Sequence, residues 1–83
     1  MNKLQQAVKK YDDLKAKEGF DAIDKAFPDG VSKTCDELVK ELPGGVRFDG
    51  GEFDSPGYTM HCYVYCWIED GVVKGETLKV ECY

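Results

Sequence analysis

With 83 residues, the chain is expected to bury only about 60–65% of the surface that its unfolded form exposes, which leaves little room for an enclosed active-site cavity. Its composition, 42% hydrophobic and 33% charged, is typical of a globular protein and argues against disorder. The net charge of −5 argues against binding to nucleic acid, because that affinity comes mostly from basic side chains that neutralise phosphates.

The first part of the chain has the periodicity of amphipathic helices. A helix is predicted over about residues 2–18, with an apolar stripe formed by Leu4, Val8, Tyr11 and Leu14. A second, shorter helix is predicted after Gly19, with apolar residues at Phe20, Ile23 and Phe27. It should end before Pro28, because the residue preceding a proline disfavours the helical conformation.

A third helix is predicted over about residues 34–42. Thr34 and Glu37 have the spacing of a capping box, in which each side chain accepts a hydrogen bond from a free backbone N–H at the helix start. The apolar stripe of this segment consists of Cys35, Leu38, Val39 and Leu42. The run Pro43-Gly44-Gly45 should end the helix.

From Val46 onward the apolar period changes to two, which is typical of strands. Two short strands are predicted on either side of Asp49-Gly50-Gly51, with these residues as a tight hairpin turn. That hairpin would place Phe48 beside Phe53. Ser55-Pro56-Gly57 would then turn the chain into a longer strand.

The strand predicted over residues 58–69 has two unlike faces, because successive side chains of a strand point to opposite sides. Its even-numbered face is formed by Met60, Cys62, Val64, Cys66 and Ile68. Its odd-numbered face is formed by His61, Tyr63, Tyr65 and Trp67. We expect the helices to pack on the even-numbered face, and the odd-numbered, aromatic face to bind a partner if no helix covers it.

Asp70-Gly71 is a strong hairpin signal that pairs Ile68 with Val73. Continued without interruption, this register would place polar residues on the even-numbered face. A β-bulge is therefore predicted at Gly75, which would shift the register by one residue. The shifted pairs would be Val64 with Leu78, Cys62 with Val80, Met60 with Cys82, Tyr65 with Thr77, Tyr63 with Lys79, and His61 with Glu81.

The predicted fold class is α+β, in a single domain over residues 1–83. Two or three helices from residues 1–45 pack on one face of a three- to four-stranded antiparallel sheet formed by residues 46–83. The helical part holds eight lysines against nine acids, whereas the sheet part holds three basic residues against seven acids. The sheet part therefore carries −4 of the net charge.

No motif in the sequence predicts a cofactor, a metal site or a catalytic centre. Cys62 and Cys66 lie on one face of one strand and about 13 Å apart, which is too far for a disulfide or a shared metal ion. We expect the cysteines to be buried free thiols, and a bridge from Cys82 to Cys62 or Cys66 is the only disulfide considered. His61 beside Glu81 is expected to form a surface ion pair.

The sequence thus favours a small non-enzymatic module that binds a protein partner, possessing an acidic rim suited to a basic surface. The predicted binding residues are His61, Tyr63, Tyr65, Trp67, Lys79 and Glu81. In size and charge the chain is similar to the small inhibitors that phages and mobile elements use against host machinery, including CRISPR interference. The absence of an apolar signal block or a membrane span predicts the cytoplasm.

Three alternatives remain open at this point. Free sheet edges at residues 46–48 or 78–82 could pair two copies into a homodimer. A small-ligand or enzyme site could form around His61. Three helices followed by a hairpin could form a winged helix that binds DNA, although the third helix carries acids where it would meet the DNA groove.

Overall fold

The structure of the protein is a computed structural model that describes the backbone of residues 1–82 and the side chains of residues 1–54 and 56–80. Its fold is α+β, with a helical first half and a three-stranded antiparallel sheet in the second half, as predicted. The helices are α1 (Lys3–Lys17), α2 (Phe20–Ala26) and α3 (Val31–Lys40). The strands are β1 (Val46–Ser55), β2 (Tyr58–Glu69) and β3 (Val72–Cys82), and β2 lies between the other two.

The first two helices agree with the predicted segments to within a residue or two. Asn2 caps α1: its side chain accepts a hydrogen bond from the Gln5 backbone, and the Gln5 side chain accepts one from the Asn2 backbone. Lys15 and Lys17 lie in the last turn, where positive charge is favourable beside the free carbonyls of the helix end. Gly19, with φ of +89°, separates α1 from α2.

The capping box predicted at Thr34 is wrong. Helix α3 begins at Val31, nearly a turn earlier, with Gly30 at the N-cap. The Thr34 backbone N–H already donates to the Gly30 carbonyl, and so does the Thr34 hydroxyl, at 3.0 Å. A threonine inside a helix commonly bonds the carbonyl four residues earlier, so its spacing to Glu37 does not mark the helix start.

The hairpin predicted at Asp49-Gly50-Gly51 is also wrong. Strand β1 runs through these residues and pairs with β2, while the turn between the two strands lies at Pro56-Gly57. The extra residue is absorbed by a bulge between Asp49 and Gly51, where Gly51 has φ of +83°, a conformation that glycine adopts without steric cost. Phe48 and Phe53 therefore pair with Val64 and Met60 of β2, and not with each other.

The hairpin between β2 and β3 confirms the turn at Asp70-Gly71 and the pairing of Ile68 with Val73. Both turn residues have positive φ, 53° and 76°, which matches the twist of a two-residue hairpin. The bulge predicted at Gly75 is wrong, because the register is unbroken as far as Cys82. The observed pairs are Met60 with Glu81, His61 with Val80, Cys62 with Lys79, Tyr63 with Leu78, Val64 with Thr77, and Tyr65 with Glu76.

The helices pack on the odd-numbered face of β2, and the prediction that they cover the even-numbered face is wrong. Tyr65 and Trp67 are 0% and 2% exposed, and Leu78 of β3 is fully buried beside them. In the unbroken register Leu78 and Val80 lie on the same side as Tyr63 and His61, so apolar residues of β3 are buried together with the large rings of β2. Burying the rings of Tyr65 and Trp67 removes more apolar area from water than burying cysteine and valine at the neighbouring positions of β2 would.

The core lies between this face and the three helices, with α1 over β3 and α3 over β1 and β2. The helices contribute Leu4, Val8, Tyr11, Ile23, Val31, Cys35 and Val39, and Phe27 lies at the end of α2. No helix within residues 1–82 has the length and apolarity needed to cross a membrane. The opposite face of the sheet has no helix of the described chain packed against it.

Cys35 is buried, as predicted, but Cys62 and Cys66 are only half-buried and lie on the face away from the helices. All three are free thiols. The side chain of Cys82 lies outside the described residues, so the disulfide considered for it stays untested.

Candidate interaction surface

The sheet surface that faces away from the helices, which we call the outer face, is apolar and exposed. The register of the three strands places on it Val46, Phe48, Phe53, Tyr58, Met60, Cys62, Val64, Cys66, Ile68 and Val73. Phe48 is 56% exposed and Val73 is 70% exposed, and most of the remaining members are exposed or half-buried. Ordinary strands of a two-layer fold present polar side chains to solvent, so this composition is unusual for a free surface.

The described side chains of the outer face are almost free of charge. Among the described strand side chains that lie on it, Lys79 is the one that carries a charge, next to Cys62 in the register. Thr77, Gly51 and Gly75 also belong to the face, and the backbone register places Ser55 and Glu81 at two further positions of it, whose side chains lie outside the described residues. The acidic residues of β1, which include Asp49, Glu52 and Asp54, lie on the helix side of the sheet.

Strand geometry gives the size of the outer face. Three strands about 4.8 Å apart, each with about 10 residues rising about 3.3 Å, cover roughly 500 Å². This area lies in the upper part of the range of about 300–600 Å² for the largest apolar patch of a monomer, a patch that is often functional.

On the helix side, a polar network begins where α3 meets the sheet. The Tyr65 hydroxyl donates to Oδ1 of Asp36 at 3.0 Å, and Arg47 donates to Oδ2 of the same carboxylate at 2.8 Å. Burial raises the pKa of the Tyr65 phenol well above its ordinary range, and the nearby Asp36 charge is the second-largest cause of the increase. Asp36 thus ties α3 to both β1 and β2 through one charge-assisted pair and one hydrogen bond.

The network continues along the helix side of β1 and β2. The Arg47 guanidinium lies 5.3 Å from the centroid of the Tyr63 ring, and that ring lies 4.5 Å from the His61 ring. His61 Nε2 lies 2.6 Å from Oδ1 of Asp49, and its Nδ1 lies 3.7 Å from Oε1 of Glu52. His61 is therefore held between two carboxylates of β1.

The bulge in β1 creates this arrangement. Asp49 and Glu52 are three residues apart and would face opposite sides of a regular strand, but the extra residue puts both beside His61. The Gly51 backbone N–H donates to Oδ1 of Asp49 at 2.9 Å. This bond, more than the neighbouring His61, holds the pKa of the Asp49 carboxyl below its usual range.

The described neighbours of His61 are two carboxylates and the ring of Tyr63. A cleft of about 290 Å³ between α3 and β1 is lined by other residues, among them Asp36, Lys40 and Arg47. Within the described residues, no group of three or more His, Cys, Asp or Glu side chains is placed to hold a metal ion.

No family model, curated protein or solved structure matches this chain. The functional interpretation therefore depends on the surfaces themselves, and the outer face is the surface that least resembles an ordinary solvent-exposed one.

The structure separates the residues predicted to form one binding surface. Tyr65 and Trp67 are buried beneath the helices, and His61 and Tyr63 are half-buried in the polar network. Lys79 lies on the outer face beside Cys62, and the side chain of Glu81 lies outside the described residues. The predicted aromatic row is therefore not available as a continuous surface.

Sequence reasoning missed the contribution of β1 to the outer face. The sequence predicts that Val46, Phe48 and Phe53 belong to a small hairpin, but each pairs with an even-numbered residue of β2. A usable signal was present in β3: its apolar residues Leu78 and Val80 fall on the odd-numbered side of β2 in the simplest register. That register alone would have placed the core on the aromatic side.

Proposed function

We propose that the protein is a non-enzymatic module that binds a protein surface through its outer face. The observation that carries this proposal is a continuous apolar surface, with one charge among its described side chains, on an otherwise acidic chain. Apolar area removed from water stabilises a complex, at about 25 cal/mol per Å² before the costs of association are subtracted.

Folding alone does not account for the large side chains on this surface. Phe48 and Ile68 keep about half of their surface exposed, so each stabilises the isolated chain much less than a buried residue does. Surface aromatic and aliphatic side chains of this size gain most of their burial on contact with another molecule. Their presence on all three strands supports selection for a contact.

The outer face is also held in a fixed shape before any contact. Its middle strand is paired on both sides, and the Tyr65–Asp36–Arg47 contacts fix the sheet to α3 from the opposite face. A rigid surface loses little conformational entropy on association, which favours binding. If the chain belongs among the small phage or mobile-element inhibitors that its size and charge indicate, such a module would act by occupying a surface that host machinery needs.

The experiment compares the wild-type chain with Phe48→Lys, using Val72→Lys as the matched control. Phe48 and Val72 are 56% and 54% exposed. Val72 pairs with Glu69, so it lies on the helix side of the sheet and not on the outer face. Each tagged variant is tested for capture of proteins from the source organism and for self-association, and its thermal unfolding is recorded in parallel.

Phe48→Lys should abolish binding without a large loss of stability, whereas Val72→Lys should bind like the wild type. If the folded Phe48→Lys chain keeps every interaction of the wild type in both assays, the outer face is not a binding surface.

A further inference from the structure

We propose that the outer face is occupied by a second copy of this chain, so that two sheets pack face to face and the helices lie on the outside of the dimer. This inference rests on the proposed function, since it names the partner of the same surface. It is argued from the area, the charge and the symmetry of the outer face.

The area is sufficient for a reversible dimer. Each copy contributes roughly 500 Å² by the strand geometry given above, so two copies bury about 1,000 Å² in total, the lower limit for a specific interface. An interface of this size lies in the range of weak, reversible contacts. A dimer with a dissociation constant in the micromolar range would be assembled at about 100 μM. Two sheets in a sandwich lie about 10 Å apart, a spacing that the side chains of both inner faces fill.

The charge distribution favours a copy of the chain over a basic partner. A basic protein needs acids to meet it, but Asp49, Glu52 and Asp54 lie on the helix side of the sheet. The outer face offers such a partner no described carboxylate, and Lys79 would repel it. An apolar, nearly neutral surface is best matched by another surface of the same kind, which a second copy supplies.

A two-fold symmetric arrangement of the two sheets leaves room for Lys79. The central row across the sheet is Phe48, Val64 and Thr77. We consider a two-fold axis that lies midway between the two sheets, runs along this row and is perpendicular to the strands. This axis places Val64 of one copy over Val64 of the other, and Phe48 over Phe48. The same operation places Lys79 over Gly75 of the second copy, where the missing side chain leaves room for the lysine to reach solvent.

The arrangement also brings the two half-buried thiols of the outer face together. Cys62 and Cys66 lie one on each side of Val64 along β2, so Cys62 of one copy lies over Cys66 of the other. The thiols of one chain are too far apart to join directly, at about 13 Å by strand geometry. A short bis-maleimide should therefore link two copies of the chain.

The first test is sedimentation equilibrium of the purified full chain at about 100 μM, where the mass should be twice the 9.3 kDa of one copy. Because each copy carries −5, added salt should tighten the dimer by screening repulsion. Phe48→Lys should raise the dissociation constant at least a hundredfold, since the change occurs twice in the dimer. Ile68→Lys should act in the same direction, and Val72→Lys should leave the dissociation constant within threefold of wild type.

The second test uses two chains that each keep one outer-face thiol, Cys66→Ser and Cys62→Ser, with Cys82→Ser in both. Cys35 can remain, because burial raises the pKa of its thiol to about 12 and keeps it unreactive. A mixture of the two chains should cross-link, and neither chain alone should do so. Cross-linking of the Cys62 chain to itself would overturn the proposed axis.

A monomer at about 100 μM in both low and high salt overturns the dimer. The proposed function is tested separately from the dimer. If the chain is a monomer but Phe48→Lys abolishes capture of another protein, the proposed function is retained. If Phe48→Lys changes neither capture nor self-association, the proposed function is refuted.

Discussion

Replacing Tyr65 with phenylalanine tests the link between the sheet and α3. The substitution removes only the hydroxyl that donates to Asp36 at 3.0 Å, and it keeps the buried ring. A hydrogen bond to a charged acceptor contributes about 1.5–3 kcal/mol. Because Asp36 keeps its contact with Arg47 and is partly exposed, the lower end applies. We expect a loss of about 1.5 kcal/mol, equivalent to about 6–12 °C in Tm for a domain of this size.

The measurement is equilibrium unfolding in urea, with thermal unfolding as a second probe. The slope of the free energy against urea should be unchanged, since the surface exposed on unfolding is the same. Tyr63→Phe is the matched control, because it removes a hydroxyl two residues along the same face with no described hydrogen bond, and it should cost less than about 0.5 kcal/mol. If Tyr65→Phe costs no more than this control, the hydroxyl bond to Asp36 does not stabilise the fold.

Two further predictions concern close packing and pH. Gly45→Ala should lower the free energy of unfolding in urea by about 3 kcal/mol, because the added Cβ would lie 1.7 Å from the Val39 carbonyl oxygen. Gly75→Ala is the control, since a Cβ at that position meets only ordinary van der Waals contacts. An equal effect of the two substitutions would contradict the steric reasoning. Burial raises the pKa of the Cys35 thiol from 9.0 to about 12 and also raises that of the Tyr65 phenol, so both ionise first in the unfolded chain. Stability should therefore be complete below about pH 9 and fall as the pH rises toward 12, and a urea midpoint that stays constant between pH 8 and 11 would refute this.

The elements that depend on local periodicity could be predicted from the sequence. The stripe at Leu4, Val8 and Tyr11 identified α1, and Asp70-Gly71 identified the hairpin between β2 and β3 with its starting register. Both signals involve neighbours within one turn or one loop. The residues that specify such features are close to one another in the sequence.

The assignment of the two sheet faces could not be predicted by the same means. Both faces of β2 are apolar, so hydrophobic alternation does not say which one the helices cover. The burial of Tyr65 and Trp67 results from competition between the faces over the whole sheet. A buried set of cysteine, valine and methionine would need a bulge at Gly75 to keep Thr77 and Lys79 out of the core. In the observed register both residues lie on the exposed face, and no bulge is needed.

The candidate surface was missed for a related reason. Phe48 and Phe53 are separated by five positions, and the glycines between them resemble a turn. Only the pairing of β1 with the whole of β2 shows that both rings lie on one face. A bulge within a strand and a tight turn use the same residues, so the sequence of this segment alone does not distinguish them.

The bulge in β1 makes the length of this strand as important as its residues. In a regular strand of the present length, residues 48, 50, 52 and 54 would share one face, so Glu52 and Asp54 would enter the apolar outer face and Phe53 would turn toward the helix side. The bulge takes up the one residue that would cause this inversion. Deleting Gly50 should therefore leave each remaining pair of β1 with β2 in place. In an evolving sequence, the two glycines are thus the position where this strand can lose a residue without exchanging its faces.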